Sequence, residues 1–370
     1  MENTTSERRY DIDWLRVIAI ALLLVYHIAI IFQPWAMFFG FIRSNEHLVN
    51  LWKPMTMLNV WRIPLLFYVS GMGVYFAMRK RNIKSLLLER ARRIGLPYIF
   101  GILAIVPLHV IVFQDYYGQA LVYSPHQGHL WFLGNLVVYI SILFPLFFHL
   151  LKKGESKFKM ALHRLMQSPL GPVSVSIFFV LEVLIVKPQI FALYSQTLHG
   201  YAHGFLAFFF GFLFVYIGQT FWSTMLKWKW LYLGLAFSMY LIRLGFFASD
   251  SPLYLMAIES NFWIFALFGL AYRYLNKPSA TLNYLSKAVY PVYIIHMFVL
   301  YFGASIILPL ALPIFLKFVL IVTFTLVTCL LIYEFVLKRL RFLSIPFGIN
   351  WSPKARVSAQ EKTLAGKGNM

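Results

Sequence analysis

Ten stretches of the chain stay apolar over a length that can cross a bilayer: residues 13–33, 57–78, 94–113, 130–151, 171–187, 203–222, 230–249, 253–275, 288–308 and 313–335. A helix rises ~1.5 Å per residue, so about 20 residues span the ~30 Å hydrocarbon core. The stretch at 171–187 is the shortest. Lipid offers no partners to backbone N–H and C=O groups, so segments of this kind must satisfy themselves as helices. The pattern therefore predicts an all-α, polytopic integral membrane protein with about ten transmembrane helices.

The polar positions between these stretches alternate in charge. The loop from Arg79 to Arg93 holds seven basic residues and Lys152 to Arg164 holds five. Lys227 and Lys229 are expected to form the next basic loop, followed by Arg273, Lys277 and Lys287. The segments 114–128 and 250–252 contain no Lys or Arg. Basic loops mark the cytoplasmic side, and an even number of spans puts both termini there. The expected location is the inner (plasma) membrane, multi-pass.

Composition excludes the soluble alternative: 60% of residues are hydrophobic and 12% charged, about half the charged share of a soluble domain. The net charge of +20 sits in short clusters between apolar runs, which is a topology signal rather than a nucleic-acid footprint. The single Cys329 excludes an internal disulfide and CxxC metal sites. The first apolar run is too long for a signal peptide and lacks a small-residue cleavage site after it, so it is read as retained. Residues 1–351 are read as one transmembrane domain and 352–370 as a basic cytoplasmic tail, disordered or resting on anionic lipid.

Ionisable residues inside spans are costly and so point to function. Asp13, Arg16 and His27 share the first span. Arg16 and His27 are eleven residues apart, which places them on one helix face, separated by roughly 16 Å along the axis. His27, Arg62, Glu182, Arg243 and Glu259 each lie some five or six residues from the outer end of their spans. They are expected to form one polar layer ~8–9 Å deep, open to the outside. Asp13 can pair with Arg16, and His27 alone would also suit a core imidazole bonded to a neighbouring helix.

Other motifs read more plainly. Ser70-Gly71 lacks the glycine that precedes the serine of a nucleophile elbow, and small residues there permit close helix packing. His199 and His203 have i, i+4 spacing, but no acidic residue follows, and no metal site is expected. His129 and Trp131 begin a helix at the outer interface, where Trp131 suits an aromatic belt or a sugar-stacking surface.

Several of these residues fall in an ordered set of motifs. Asp13-Trp14-Leu15-Arg16 with His27 resembles the R-x10-H signature of membrane acyltransferase family 3. Phe67 to Gly71 is similar to the family's F-x-x-S-G stretch, and Arg90-Ala91-Arg92-Arg93 with Pro97 to its R-x-x-R-x-x-x-P segment. His129 to Leu133 resembles H-L-W-F-L, and Tyr290 to His296 resembles Y-P-x-Y-x-x-H. Arg62, Glu259, Phe302-Gly303-Ala304 and Tyr333-Glu334 place the likeness nearest the subgroup of periplasmic glucan succinyltransferases.

The resemblance implies transfer of an acyl group, acetyl or succinyl, from a cytoplasmic acyl-CoA co-substrate to a hydroxyl of a periplasmic or cell-envelope glycan, with no permanently bound cofactor. It implies His27 as general base, with Arg16, Arg62 and Glu259 as the other catalytic residues: Arg62 for the oxyanion, Glu259 to orient His27 or the sugar. A covalent acyl-His27 intermediate is the alternative to direct attack. Arg16, Arg90 and Arg93 would bind the donor phosphates; His129, Trp131, Arg243 and Glu182 would face the acceptor. Partners would be the lipid bilayer and envelope glycan-synthesis proteins, with no nucleic acid. Two other classes compete: a transporter using the charged layer as a substrate or proton path, and an envelope scaffold, in which Arg16 and His27 would be dispensable.

Overall fold

A computed structural model describes residues 8–80, 83–247 and 251–349. The 352–370 tail lies outside them. Every regular element among the described residues is helical. In chain order the helices are α1 Tyr10–Ile31, α2 Trp52–Lys80, α3 Ile83–Tyr116, α4 Trp131–Lys153, α5 Lys157–Met166, α6 Leu170–Val186, α7 Leu198–Ile217, α8 Gln219–Phe247, α9 Leu253–Tyr274, α10 Ala280–Ile307 and α11 Ile314–Leu337. Among the described residues nine are long and apolar enough to cross a membrane, and the α5–α6 pair, bent by 105°, raises the number to ten if counted as one span.

Expected boundaries move: the segment read as a loop from Arg79 to Arg93 is helical from Ile83 as the start of α3, and the Lys152–Arg164 loop carries α5. Lys227 and Lys229 do not form a loop, because the chain turns earlier, at Gly218 (φ 82°, ψ −140°). Only glycine takes that conformation without steric cost. The two lysines lie inside α8 and rest over Trp228 and Trp230. At 29 residues, α8 is roughly 44 Å long and exceeds the hydrocarbon core. Its first turns pack against α5, where Thr224 donates to the Met166 carbonyl at 2.6 Å and Tyr232 to that of Pro169 at 2.8 Å. The lysines thus stay at the basic end of the bundle.

The centre is built on close backbone contact. A Cβ at Gly71 of α2 would overlap the Phe208 carbonyl of α7, and one at Gly211 of α7 would overlap that of Tyr68. The reciprocal pair lets the two helices touch, which is the small-residue mode of membrane packing. Ser70 donates to its own helix, to the Leu66 carbonyl at 2.7 Å, so its hydroxyl is occupied within α2.

The end opposite the basic loops is covered by three irregular segments, and helix prolines anchor two of them. Pro64 lacks the N–H that would meet the Val60 carbonyl, and Tyr194, from the 187–197 segment, donates to that carbonyl at 3.3 Å. Pro107 likewise frees the Leu103 carbonyl, which accepts from Tyr123 of the 117–127 segment at 2.8 Å. The third segment, 32–51, closes on itself through Leu48 N–H to the Phe32 carbonyl at 2.9 Å, and Tyr301 of α10 donates to Gly40 at 2.7 Å.

Candidate active site

These three segments and the ends of α1, α2, α3, α4, α8, α9 and α10 line a cavity of about 930 Å³. His27, Arg62, His129, Trp131 and Arg243 line it; Glu182, Glu259, Arg16, Arg90 and Arg93 do not. The expected five-residue layer therefore contributes three members.

His27 is held by His296, which enters the sequence reading only as the last position of the Y-P-x-Y-x-x-H stretch, with no role assigned to it. Its Nδ1 lies 3.0 Å from Nε2 of His296 on α10, with the rings parallel at 4°. His296 is fully buried, and its Nδ1 lies 2.6 Å from the Tyr293 carbonyl. A carbonyl only accepts, so His296 Nδ1 carries the hydrogen. In the neutral ring Nε2 is then the acceptor, and His27 Nδ1 donates to it. This leaves Nε2 of His27 with a lone pair, on a ring that lines the cavity. The signal that could have found His296 is the one used for His27: an imidazole inside an apolar span.

Two further histidines surround the pair. His129 donates from Nε2 to the Ile294 carbonyl at 2.9 Å, and its ring stands edge-on to His296 at 5.0 Å. Its Nδ1 is buried without a partner. Tyr293 closes the corner by donating to the His129 carbonyl at 2.6 Å. His109 of α3 lies 5.6 Å from His129, ring to ring. Trp131 is 8% exposed and faces the cavity and Phe67, so it is an internal wall and not a lipid-belt residue.

Arg62 also lines the cavity, beside Tyr26. It is 3% exposed, its guanidinium sits 3.9 Å above the Tyr26 ring, and its Nε and Nη1 have no partner. Two guanidinium nitrogens held dry without a partner suit an anionic oxygen that reaches either of them.

Glu259 meets Arg243 and Trp263 and makes no hydrogen bond with His27. Its carboxylate accepts Arg243 Nε at 2.7 Å and Nη2 at 3.0 Å, and Trp263 Nε1 at 3.3 Å. Arg243 also donates to the Thr56 carbonyl at 3.1 Å. With both oxygens engaged and no exposure, Glu259 orients Arg243, not His27. Glu182 departs from the layer altogether: its two carboxylate oxygens lie 2.8 Å from His199 Nδ1 and 2.9 Å from His203 Nδ1. The acidic partner that the i, i+4 histidines lacked in sequence comes from the preceding helix.

At the basic end, Arg16 and Arg90 converge on Gly73 of α2. Arg90 Nη2 donates to the Gly73 carbonyl at 3.4 Å, and the Arg16 guanidinium passes beside the Gly73 α-carbon. Asp13 stands 3.6 Å from Arg16 and keeps it only loosely paired. Arg93 turns instead to Glu89 at 3.1 Å.

A family model described as an acyltransferase domain matches residues 9–334. The chain is also similar to the glucans biosynthesis protein C of Escherichia coli O81 (strain ED1a), 24% identical over 342 residues, covering 83% of this chain and 86% of that one. The protein of that name from Escherichia coli O157:H7 is 23% identical over 342 residues, with the same coverage. No solved structure matches the chain.

Proposed function

The chain belongs to the acyltransferase 3 family of multi-pass membrane acyltransferases, and from that premise we propose that it moves an acetyl- or succinyl-class group from acyl-CoA to a hydroxyl of an envelope glycan, with His27 as general base. The observation that carries this reading is the chain Tyr293 carbonyl–His296–His27, which leaves a lone pair on Nε2 of a His27 ring that lines a cavity, with Arg62, whose Nε and Nη1 lack partners, in the same wall.

The glycan hydroxyl gives its proton to His27 Nε2 as its oxygen attacks the thioester carbonyl carbon. The oxyanion forms beside Arg62 Nε and Nη1. The carbon–sulfur bond breaks, the thiolate takes the proton back from His27, and an ester and CoA thiol leave. His296 holds the imidazole in the required tautomer. His129 and Trp131 face the acceptor, and Arg243 extends that polar wall.

The donor enters from the basic end, where Arg16 and Arg90 meet its phosphates. That end is the cytoplasmic one by the distribution of Lys and Arg, with both termini on the same side. The ~16 Å between Arg16 and His27 is of the order of an extended pantetheine arm. Other envelope glycan-synthesis proteins are the natural source of the acceptor.

The test is a comparison of envelope glycans from cells with and without the gene by mass spectrometry, paired with thiol release from acyl-CoA by the purified protein. Acyl-substituted glycan only in the presence of the gene, with stoichiometric thiol release, is the expected result. Unchanged glycans and no thiol release would sink the reading.

A further inference from the structure

Outside the cavity the structure gathers a second set of polar side chains, and its hydrogen-bond inventory does not close. Glu182 near the end of α6 and His199 and His203 on the first turns of α7 are all buried, at 6%, 1% and 1% exposure. One carboxylate oxygen and one nitrogen from each ring lie within 4.8 Å of one another. Nε2 of His199 lies 2.9 Å from the Phe191 carbonyl, so Nε2 carries the hydrogen. Nδ1 of the neutral ring is then a bare lone pair, yet it faces Glu182 Oε1 at 2.8 Å. Two acceptors at that distance need a positive charge between them, a proton or a metal ion. His203 Nδ1 lies 2.9 Å from the other carboxylate oxygen, and its Nε2 is buried without a partner.

We propose that Glu182, His199 and His203 bind a divalent transition-metal cation of the zinc class through the carboxylate and the two Nδ1 atoms. Two imidazoles and one carboxylate form a set that favours zinc-class ions over magnesium or calcium. Metal-bound imidazoles hand their outer N–H to a carbonyl or carboxylate, as His199 does to Phe191. Zinc bonds of ~2.0–2.1 Å put tetrahedral ligand atoms roughly 3.3 Å apart. The observed nitrogen–oxygen separations of 2.8 and 2.9 Å need to open by about half an ångström to admit the ion. A fourth position remains for water.

The ion would fasten the 187–197 segment, which walls the cavity. That segment begins and ends in left-handed backbone at non-glycine residues, Lys187 (φ 50°) and Gln196 (φ 58°). Such conformations cost of order 1–3 kcal/mol each and persist only where surroundings over-determine them. Phe191 supplies the carbonyl to His199, and Tyr194 stacks on the His199 ring at 5.1 Å. A Cβ at Gly200 would overlap the Tyr194 carbonyl, so the segment rests directly on the first turn of α7. Because Tyr194 also donates to Val60, two residues from Arg62, the cluster is linked mechanically to the cavity. The inference does not depend on the acyl-transfer reading.

The experiment uses the full-length protein, purified without a polyhistidine tag and passed through chelating resin to remove loosely held ions. Elemental mass spectrometry should find on the order of one zinc-class ion per chain. Glu182→Gln and His203→Phe should each hold at least ten-fold less. Stripping wild type with a strong chelator should lower its thermal midpoint, and zinc, but not magnesium, should restore it. If either variant fails to fold, the strip-and-restore measurement on wild type decides alone. Wild type without stoichiometric metal, and no zinc-dependent recovery after chelation, would overturn the proposal and make the cluster a proton-bridged ion pair.

Discussion

The tautomer chain makes a quantitative demand on His296. In His296→Phe the ring volume is nearly kept, but the acceptor 3.0 Å from His27 Nδ1 is gone. The buried His27 N–H then lacks a partner, at a cost of about 1–3 kcal/mol. The imidazole can relieve that cost by moving its hydrogen to Nε2, which removes the base. Turnover should therefore fall about 5- to 150-fold. His296→Gln, whose amide oxygen can accept from Nδ1, should retain more activity than His296→Phe. His27→Gln removes the base itself and should cost about 10²–10⁴-fold. Because His296 acts through His27, the double variant His27→Gln/His296→Phe should be no slower than His27→Gln alone. The assay is acyl-CoA thiol release in purified protein with matched thermal midpoints. Near-normal turnover in folded His296→Phe, or full multiplication of the two losses, would refute the reasoning.

Arg62→Gln keeps a donor but loses the charge and the fork; kcat should fall about 10²–10³-fold with donor KM little changed, and Arg62→Lys should not restore it, because an ammonium cannot reproduce the fork. Arg16→Ala and Arg90→Ala should raise KM for acyl-CoA more than KM for the glycan, whereas Arg93→Ala, already paired to Glu89, should do so less; equal small effects in steady-state kinetics would remove the donor site from this place. Glu259→Gln strands a buried arginine and should cost about 3–5 kcal/mol of stability, read as a lower thermal midpoint, with turnover of the surviving protein changed far less than in His27→Gln.

Much of this protein was legible in one dimension. Lipid forces apolar runs to be helices, so the run lengths set the class and the approximate span number, and the Lys and Arg between them marked the basic end. Spacing placed Arg16 and His27 on one face, and an imidazole in an apolar span drew attention to His27. Boundaries were less legible where a single conformation decides them: Gly218 ends α7 ahead of two lysines that read as a loop. Partners were not legible at all. His27 meets His296 across 269 residues of chain, and Glu182 meets His199 and His203 across the 187–197 segment, which leaves no spacing signature. Sequence assigned Glu259 and Glu182 to the same layer by depth. Depth fixes only one coordinate, while the helix's rotation and its neighbours fix the other two. Packing turned one carboxylate toward Arg243 and the other toward two imidazoles, because a buried charge settles where its donors are, and that choice exists only once the helices are assembled.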